Sequence, residues 1–197
     1  MIASIAAAVI RLFTGVRAFG DSPGRGCIYY ARHKSHLDTL VIWAALPQKD
    51  RKQLRPVAAR DYWDKTFLRR WLSRRVLKAI LLDRKPCAGC KSHPLRELAD
   101  AVESGDSLLI FPEGTRSPQG DDRPFKSGIY HLAKMLPDSS FIPVSLENLG
   151  RILPKGEFLP LPLIARCSIG EALTLRADET KPAFLQRSAL ALTPSQS

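Results

Sequence analysis

Cys27-Ile28-Tyr29-Tyr30-Ala31-Arg32-His33-Lys34-Ser35-His36-Leu37-Asp38 is the stretch on which the fold turns. A short apolar, partly β-branched run stops at Arg32. A polar turn follows, and then Leu37, Leu40, Val41, Ala44 and Ala45 recur at helical spacing. That is a strand, a loop and a helix in order. The same alternation continues outward. Apolar runs at Cys27–Ala31, Pro56–Ala59, Ala79–Leu82, Ser107–Phe111 and Phe141–Ser145 read as strands. Leu95, Leu98, Ala99 and Val102 make one helical face, and Ile129, Leu132, Ala133 and Leu136 another. Strands alternating with helices predict a single α/β domain whose mostly parallel central sheet is flanked by helices. In such sheets the chemistry gathers at loops leaving the carboxyl ends of the strands.

Three of those loops carry reactive side chains. In the first, His33 and Asp38 are five residues apart, so on one regular helix they would point about 140° away from each other. They meet if His33 lies in the loop and Asp38 on the first helical turn, with Ser35 capping that turn. Asp38 then holds one imidazole nitrogen and leaves the other to take a proton. A surface turn is the default for such a pair, and a metal reading lacks a fourth ligand at recognisable spacing. The second loop is Leu81-Leu82-Asp83-Arg84. The third is Phe111-Pro112-Glu113-Gly114-Thr115-Arg116-Ser117. There Gly114 admits a close backbone approach, Thr115 offers a hydroxyl and Arg116 a planar fork suited to phosphate. Glu113 is suited to accept a bond from a substrate hydroxyl or to hold an arginine. A base beside a phosphate pocket is the combined reading.

These motifs resemble those of the glycerophospholipid acyltransferases, the group that includes lysophosphatidate acyltransferase. The N-H-x-S-x-x-D motif of that family is matched by Arg32–Asp38, with Arg32 in place of the asparagine. An apolar strand ending in arginine is matched by Leu82-Asp83-Arg84, and F-P-E-G-T-R-S stands complete at Phe111–Ser117. Phe141-Ile142-Pro143-Val144 matches the fourth motif, and Phe125-Lys126-Ser127-Gly128 a helix entry. The resemblance runs over roughly residues 26–172. It implies a glycerol-3-phosphate acyltransferase-like fold, with His33 as general base and Asp38 as its support. Arg84, Glu113, Gly114, Thr115 and Arg116 would bind substrate, and Ser35, Arg60 and Lys126 would stand in supporting positions. Arg60 occupies the place of a family lysine. The donor implied is acyl-CoA or acyl-carrier protein, and the acceptor a phosphate-bearing lipid, 1-acylglycerol 3-phosphate first. No metal or organic cofactor is expected. Glycerol 3-phosphate and other lyso-lipids remain open as acceptors, because His36 also fits the H-[RK]-S-H-x-D form.

Composition bounds the rest. The chain has 197 residues, 45% hydrophobic and 25% charged, which suits one domain with its own core and excludes wholesale disorder. A formal net charge of +11 suits anionic partners: acidic lipid headgroups, acidic carriers or nucleic acid. A basic nucleic-acid-binding or membrane-binding module without catalysis is the alternative from another class. It leaves His33, Asp38 and Phe111–Ser117 unexplained, so no nucleic acid is expected. Residues 1–20 read as an amphipathic helix, with Ile2, Ile5, Val9, Leu12, Phe13 and Val16 on one face and Arg11 and Arg17 interrupting it. Its unbroken apolar run, Ile2 to Ile10, is far short of the ~20 residues of a spanning helix. It either lies in a membrane interface or packs on its own domain. Asp61–Leu77 reads as a second helix, with Trp63, Phe67 and Trp71 on one stripe beside arginines. Together these predict a peripheral or monotopic protein on the cytoplasmic face of an anionic membrane. Cys87 and Cys90 read as an incidental loop pair, and residues 181–197 as a polar tail.

Overall fold

The computed structural model describes residues 2–21, 24–35, 37–83, 94–116, 123–147 and 165–193. The elements are α1 (Ile2–Thr14), β1 (Arg17–Phe19), β2 (Ile28–Tyr30), α2 (Asp38–Ala45), α3 (Gln48–Arg51), β3 (Leu54–Ala59), α4 (Arg60–Trp63) and α5 (Phe67–Trp71). A π-helical turn, Leu72–Val76, continues α5. Then come β4 (Ile80–Leu82), α6 (Pro94–Glu103), β5 (Ser107–Ile110), α7 (Gly128–Met135), β6 (Phe141–Glu147), β7 (Arg166–Ile169) and α8 (Lys181–Leu190). The seven strands form one sheet in the order β1-β7-β6-β2-β5-β3-β4. Every pairing is parallel except β6 with β7.

The period-2 rule for strands separates the core into two layers. Tyr29, Leu109, Ile142 and Val144 face one side with residues of α1, α2 and the π turn. Ile28, Tyr30, Leu108, Ile110 and Phe141 face the other with residues of α6, α7 and α8. Helix α2 lies between sheet and α1, which is why Val41, Ile42, Trp43, Ala44 and Ala45 are all buried. Its carboxyl end is closed by two arginines. Arg11 donates to Ala44 O (2.6 Å), Ala45 O (3.2 Å) and Leu46 O (3.0 Å). Arg51 donates to Ala44 O and Leu46 O. They satisfy carbonyls that a helix end leaves without partners, and they complement the dipole there.

Because β5 inserts between β2 and β3, the loops after β2, β5, β3 and β4 open on the same edge of the sheet. That brings the His33 loop against the Phe111–Arg116 loop, although about eighty residues separate them in the chain.

Four expectations from the sequence are corrected. Residues 1–20 are not one helix: α1 ends at Thr14, Gly15 takes a positive φ, and Arg17–Phe19 adds a strand to β7. Asp61–Leu77 is not one helix either, because Asp64 to Thr66 separates α4 from α5. Thr66 takes extended backbone and caps α5 by accepting the Arg69 N–H. Trp63 therefore packs against the core while Phe67 points to solvent. Lys181–Leu190 is not a frayed tail: Thr180 caps the helix by accepting the Ala183 N–H, and Phe184 is fully buried. Arg11, expected to break the apolar face, is exposed but lends its guanidinium to the carboxyl end of α2. Cys87 and Cys90 lie outside the described residues. Cys27 and Cys167 are buried free thiols, and burial pushes Cys167 up to about 12.

Helix α8 is also tied down by an ion pair. Arg187 donates to Glu179 Oε1 at 2.7 Å and Oε2 at 2.6 Å. Those bonds hold the Glu179 carboxyl below its ordinary value. A depressed folded-state value stabilises the fold fully above the unfolded value, and the contribution is lost as acid protonates the group. Thermal unfolding of wild type and Glu179→Gln across pH should therefore show a gap at neutral pH that closes in acid. A gap independent of pH would remove the ion pair from the account.

Candidate active site

Asp38 opens α2, and its carboxylate turns back onto the loop that precedes it. Oδ2 accepts bonds from His33 Nδ1 at 2.8 Å, Lys34 N at 2.7 Å and Ser35 N at 2.8 Å. Ser35 Oγ in turn accepts the Leu37 N–H at 3.2 Å. Ser35 does not cap α2 as expected: Leu37 is the N-cap without a side-chain bond, the Asp38 N–H goes to the Ser35 backbone carbonyl, and the acid reaches back to the turn by itself. The sequence thus folds this loop locally, with Ser35 at its start and Asp38 buried at 2% exposure. With a carboxylate as partner, Nδ1 carries the hydrogen and Nε2 is left as the acceptor nitrogen. The imidazole stacks on the Phe111 ring, centroids 4.3 Å apart and planes 20° apart. Phe111 leaves β5, so the neighbouring strand fixes the plane of the histidine.

Of its two expected roles Glu113 takes the second, holding an arginine, and not the binding of substrate. Its side chain is 1% exposed. Oε1 accepts Arg32 Nη1 and Oε2 accepts the His33 N–H, both at 3.1 Å. Glu113 therefore holds an arginine and the backbone of His33, and has no open face for a ligand. Gly114 takes φ +70°, where an added Cβ would meet Lys126 Nζ at 2.7 Å, so the glycine also makes room for that lysine. Lys126 is held there by its own N–H on Pro112 O at 2.9 Å. Thr115 Oγ1 accepts Arg123 Nη1 at 2.9 Å. Arg116 lies over the Tyr62 ring, 5.8 Å from its centroid. Arg60 binds Asp83 at 3.1 Å and Leu81 O at 2.8 Å, clamping the end of β3 to the end of β4. Arg84, His36 and Ser117 lie outside the described residues.

His33, Gly114, Thr115, Arg116 and Lys126 open onto one cavity of about 750 Å³. Its inner part is apolar: Val57, Leu82 and Ile110 from the sheet face Leu98 of α6 and Leu132 of α7. The volume falls in the range of small-molecule sites, and the composition, an apolar interior with convergent polar groups at one end, is theirs too. A histidine positioned to take a proton thus stands where a cationic rim meets an apolar chamber. Phe111 and Tyr62 were not singled out in the sequence as site residues. Phe111 opens the third loop and could have been found by its register beside His33. Tyr62 has no such signal, because its place depends on the turn at Asp64. No group of three or more metal-ligating residues occurs among the described residues.

Breaking the bond between the two loops should be costly, since Arg32 is the ion-pair partner of a carboxylate buried at 1% exposure. Arg32→Asn should destabilise by roughly 1–3 kcal/mol in urea unfolding. Adding Glu113→Gln should recover part of that loss. A further full loss in the double variant would mean that the two side chains act independently.

A family model described as Acyltransferase matches residues 15–147. A 1-acyl-sn-glycerol-3-phosphate acyltransferase alpha from Homo sapiens is 32% identical over 114 residues, covering 56% of this chain and 37% of that protein. The 1-acyl-sn-glycerol-3-phosphate acyltransferase of Pseudomonas aeruginosa is 26% identical over 158 residues, covering 80% of this chain and 58% of its own length. The stretch matched spans only 18% of a chloroplastic relative from Brassica napus, so less than two thirds of these curated relatives is represented. Among solved structures, the crystal structure of the 1-acyl-sn-glycerophosphate (LPA) acyltransferase PlsC from Thermotoga maritima has the same fold. The TM-score is 0.71 at 20% identity, over 97% of this chain and 77% of that one.

Proposed function

The chain belongs to the Acyltransferase family, and from that premise we propose that it transfers a fatty acyl group from acyl-CoA or acyl-carrier protein to the free hydroxyl of 1-acylglycerol 3-phosphate. The observation that carries the proposal is the 2.8 Å bond from His33 Nδ1 to buried Asp38 at the mouth of an apolar cavity. In this reading Nε2 takes the proton of the acceptor hydroxyl. The oxygen attacks the thioester carbonyl, the carbon–sulfur bond breaks, and the thiolate leaves with the proton that the imidazolium returns. Asp38 supports the positive charge that His33 carries in between. An ester forms, a thiol is released and no acyl-enzyme is needed. Arg116 and Lys126 at the rim are suited to the acceptor phosphate, and the apolar chamber to an acyl chain. Arg84 is proposed beside them from its motif alone. Glu113 and Asp38 act on His33 from two sides and stay out of the substrate's way.

We further propose that the protein works as a peripheral or monotopic protein on the cytoplasmic face of an anionic membrane. Ile2, Ile5, Val9, Leu12 and Phe13 are exposed on α1, whose one charged side chain, Arg11, bonds the carboxyl end of α2. Phe67, Leu68 and Trp71 are exposed on α5, beside the π turn against which α1 packs. Arginines on the same segment suit acidic headgroups. No helix among the described residues is long and apolar enough to cross a membrane.

Thiol release from a long-chain acyl thioester, with 1-acylglycerol 3-phosphate as acceptor in vesicles, tests the reaction. His33→Ala should lower turnover by about 10²–10⁴ in a protein that still folds, with a melting temperature lowered by the donor that Asp38 loses. Full activity in a folded His33→Ala protein would falsify the mechanism. Co-sedimentation with anionic vesicles tests the surface. Each of Leu12→Glu and Phe67→Glu should weaken partition by about tenfold or more, the effect of withdrawing one large apolar group from the interface. Undiminished binding of the double variant would exclude these helices as the anchor.

A further inference from the structure

Arg32 stands where the family's motif has asparagine, and its guanidinium works on two segments at once. Nη1 donates to Glu113 Oε1 of the third loop at 3.1 Å and to Arg123 O at 3.2 Å. The guanidinium carbon lies 5.4 Å from the centroid of the Phe125 ring. Arg123 and Phe125 belong to the stretch that leads into α7, and that stretch brings Lys126 to the cavity onto which His33 opens. Phe125 is buried and meets Tyr30 edge-on, centroids 6.2 Å apart. Tyr30 is itself held by its hydroxyl, which donates to Ser188 O at 3.1 Å. The Phe125 ring is thus backed by the core and faced by a cation, an attraction that grows as water is withdrawn. Lys126 follows that ring in the chain, with its own N–H on Pro112 O at 2.9 Å and its side chain against Gly114. Asparagine is shorter and carries no charge for the ring or for Glu113.

We infer that Arg32 is a positioning residue that keeps His33 and Lys126 in register, so that one acceptor meets the base and the rim cation together. The inference rests on the reading that His33 takes the proton of the acceptor hydroxyl and Lys126 meets the acceptor phosphate. Arg32 acts along two arms. Through Glu113, which accepts the His33 N–H at 3.1 Å, it sets the height of the base. Through Arg123 O and the Phe125 ring, it sets the path of the chain into Lys126. The first arm bears on turnover and the second on capture of the acceptor, so the two are read apart. A phosphate held by Lys126 fixes where the acceptor hydroxyl lies, and a misplacement of about 1 Å at the reacting atoms costs up to about 10²-fold in rate.

The test uses acyl transfer by the full chain to 1-acylglycerol 3-phosphate in vesicles, at a temperature where circular dichroism shows every variant folded. Arg32→Asn should lower kcat, leave the donor KM unchanged and raise the acceptor KM by about tenfold, the size of one lost charge-assisted contact. In a Lys126→Met background the fall in kcat should persist, because it runs through Glu113. The rise in acceptor KM should vanish there, because the group being placed is gone. Arg32→Lys keeps a charge for Glu113 but offers the ring no plane, so it should recover kcat more than acceptor KM. Equal rises in donor and acceptor KM, or an acceptor KM effect undiminished in the Lys126→Met background, overturn the inference. A second measurement does not depend on turnover. Hydrogen exchange of the Lys126 N–H should be about tenfold faster in Arg32→Asn. The Gly105 N–H, bonded to Val102 O in the turn before β5, should keep its rate. An unchanged Lys126 rate overturns the inference even if kcat falls. If the wild-type chain transfers no acyl group, the acyltransferase reading ends, and the exchange rates decide by themselves whether Arg32 holds the Lys126 segment.

Discussion

One carboxylate oxygen, Asp38 Oδ2, receives the His33 ring and two successive backbone N–H groups within 2.8 Å. A buried carboxylate needs such donors, and here all three come from the five residues before it. The loop after β2 is thereby wound tightly around its own acid. Orientation of the imidazole is a by-product of satisfying that charge. A group whose position depends on its neighbour's solvation cannot drift without leaving a buried charge short of partners. That is a physical reason for His33 to stay fixed in a loop, where rigidity is not the default.

The loop also needs a reference outside itself, and the parallel sheet supplies it. β2 and β5 are hydrogen-bonded neighbours, so Ala31 and Phe111 leave the sheet side by side. Phe111 meets the His33 ring, and two residues later Glu113 accepts the His33 N–H. The ring plane is set by one contact and the backbone height by the other. Arg32 completes Glu113 and also stacks on Phe125, 5.4 Å from the ring centroid. The family's asparagine position thus becomes, in this chain, a cationic strut between the first and third loops. Lysine would not serve equally, because only a planar guanidinium both bonds the carboxylate and lies flat on a ring.

Much of this was legible from residues alone, for a physical reason. Strand, loop and helix alternated cleanly through residues 27–145, and each apolar run there lies in a strand of the sheet. The meeting of His33 with Asp38 followed from helix geometry, since a five-residue separation closes only across a loop and first turn. What escaped depends on contacts between distant segments. β1 is three residues long and exists because β7 offers an edge. Helix α8 is weakly patterned and is held by Phe184 and by Glu179 with Arg187. Glu113 carried two readings, substrate or arginine, because nothing local reveals that Arg32 and the His33 N–H occupy it. The packing of Lys126 against Gly114 was equally hidden, because that lysine starts twelve residues on. Trp63, Phe67 and Trp71 shared a stripe only on the assumption of one continuous helix.

The break at Asp64 to Thr66 that spoiled this stripe also divides labour along the segment. A continuous helix would have put Trp63, Phe67 and Trp71 on a single face, either all in the core or all outside. With the turn, α4 gives Tyr62 and Trp63 to the cavity while α5 presents Phe67 and Leu68 to the surroundings. One short segment therefore joins a wall of the chamber to an exposed apolar face. The positive charge follows the same division: Arg69 faces Tyr62, whereas Arg70 and Arg74 close on Asp64 across the turn and brace it. The net charge of +11 is thus not a uniform coat. Part of it is used up inside, as with Arg11 and Arg51 on the end of α2. Part braces turns, and part lines the cavity, where Arg116 and Lys126 stand beside His33.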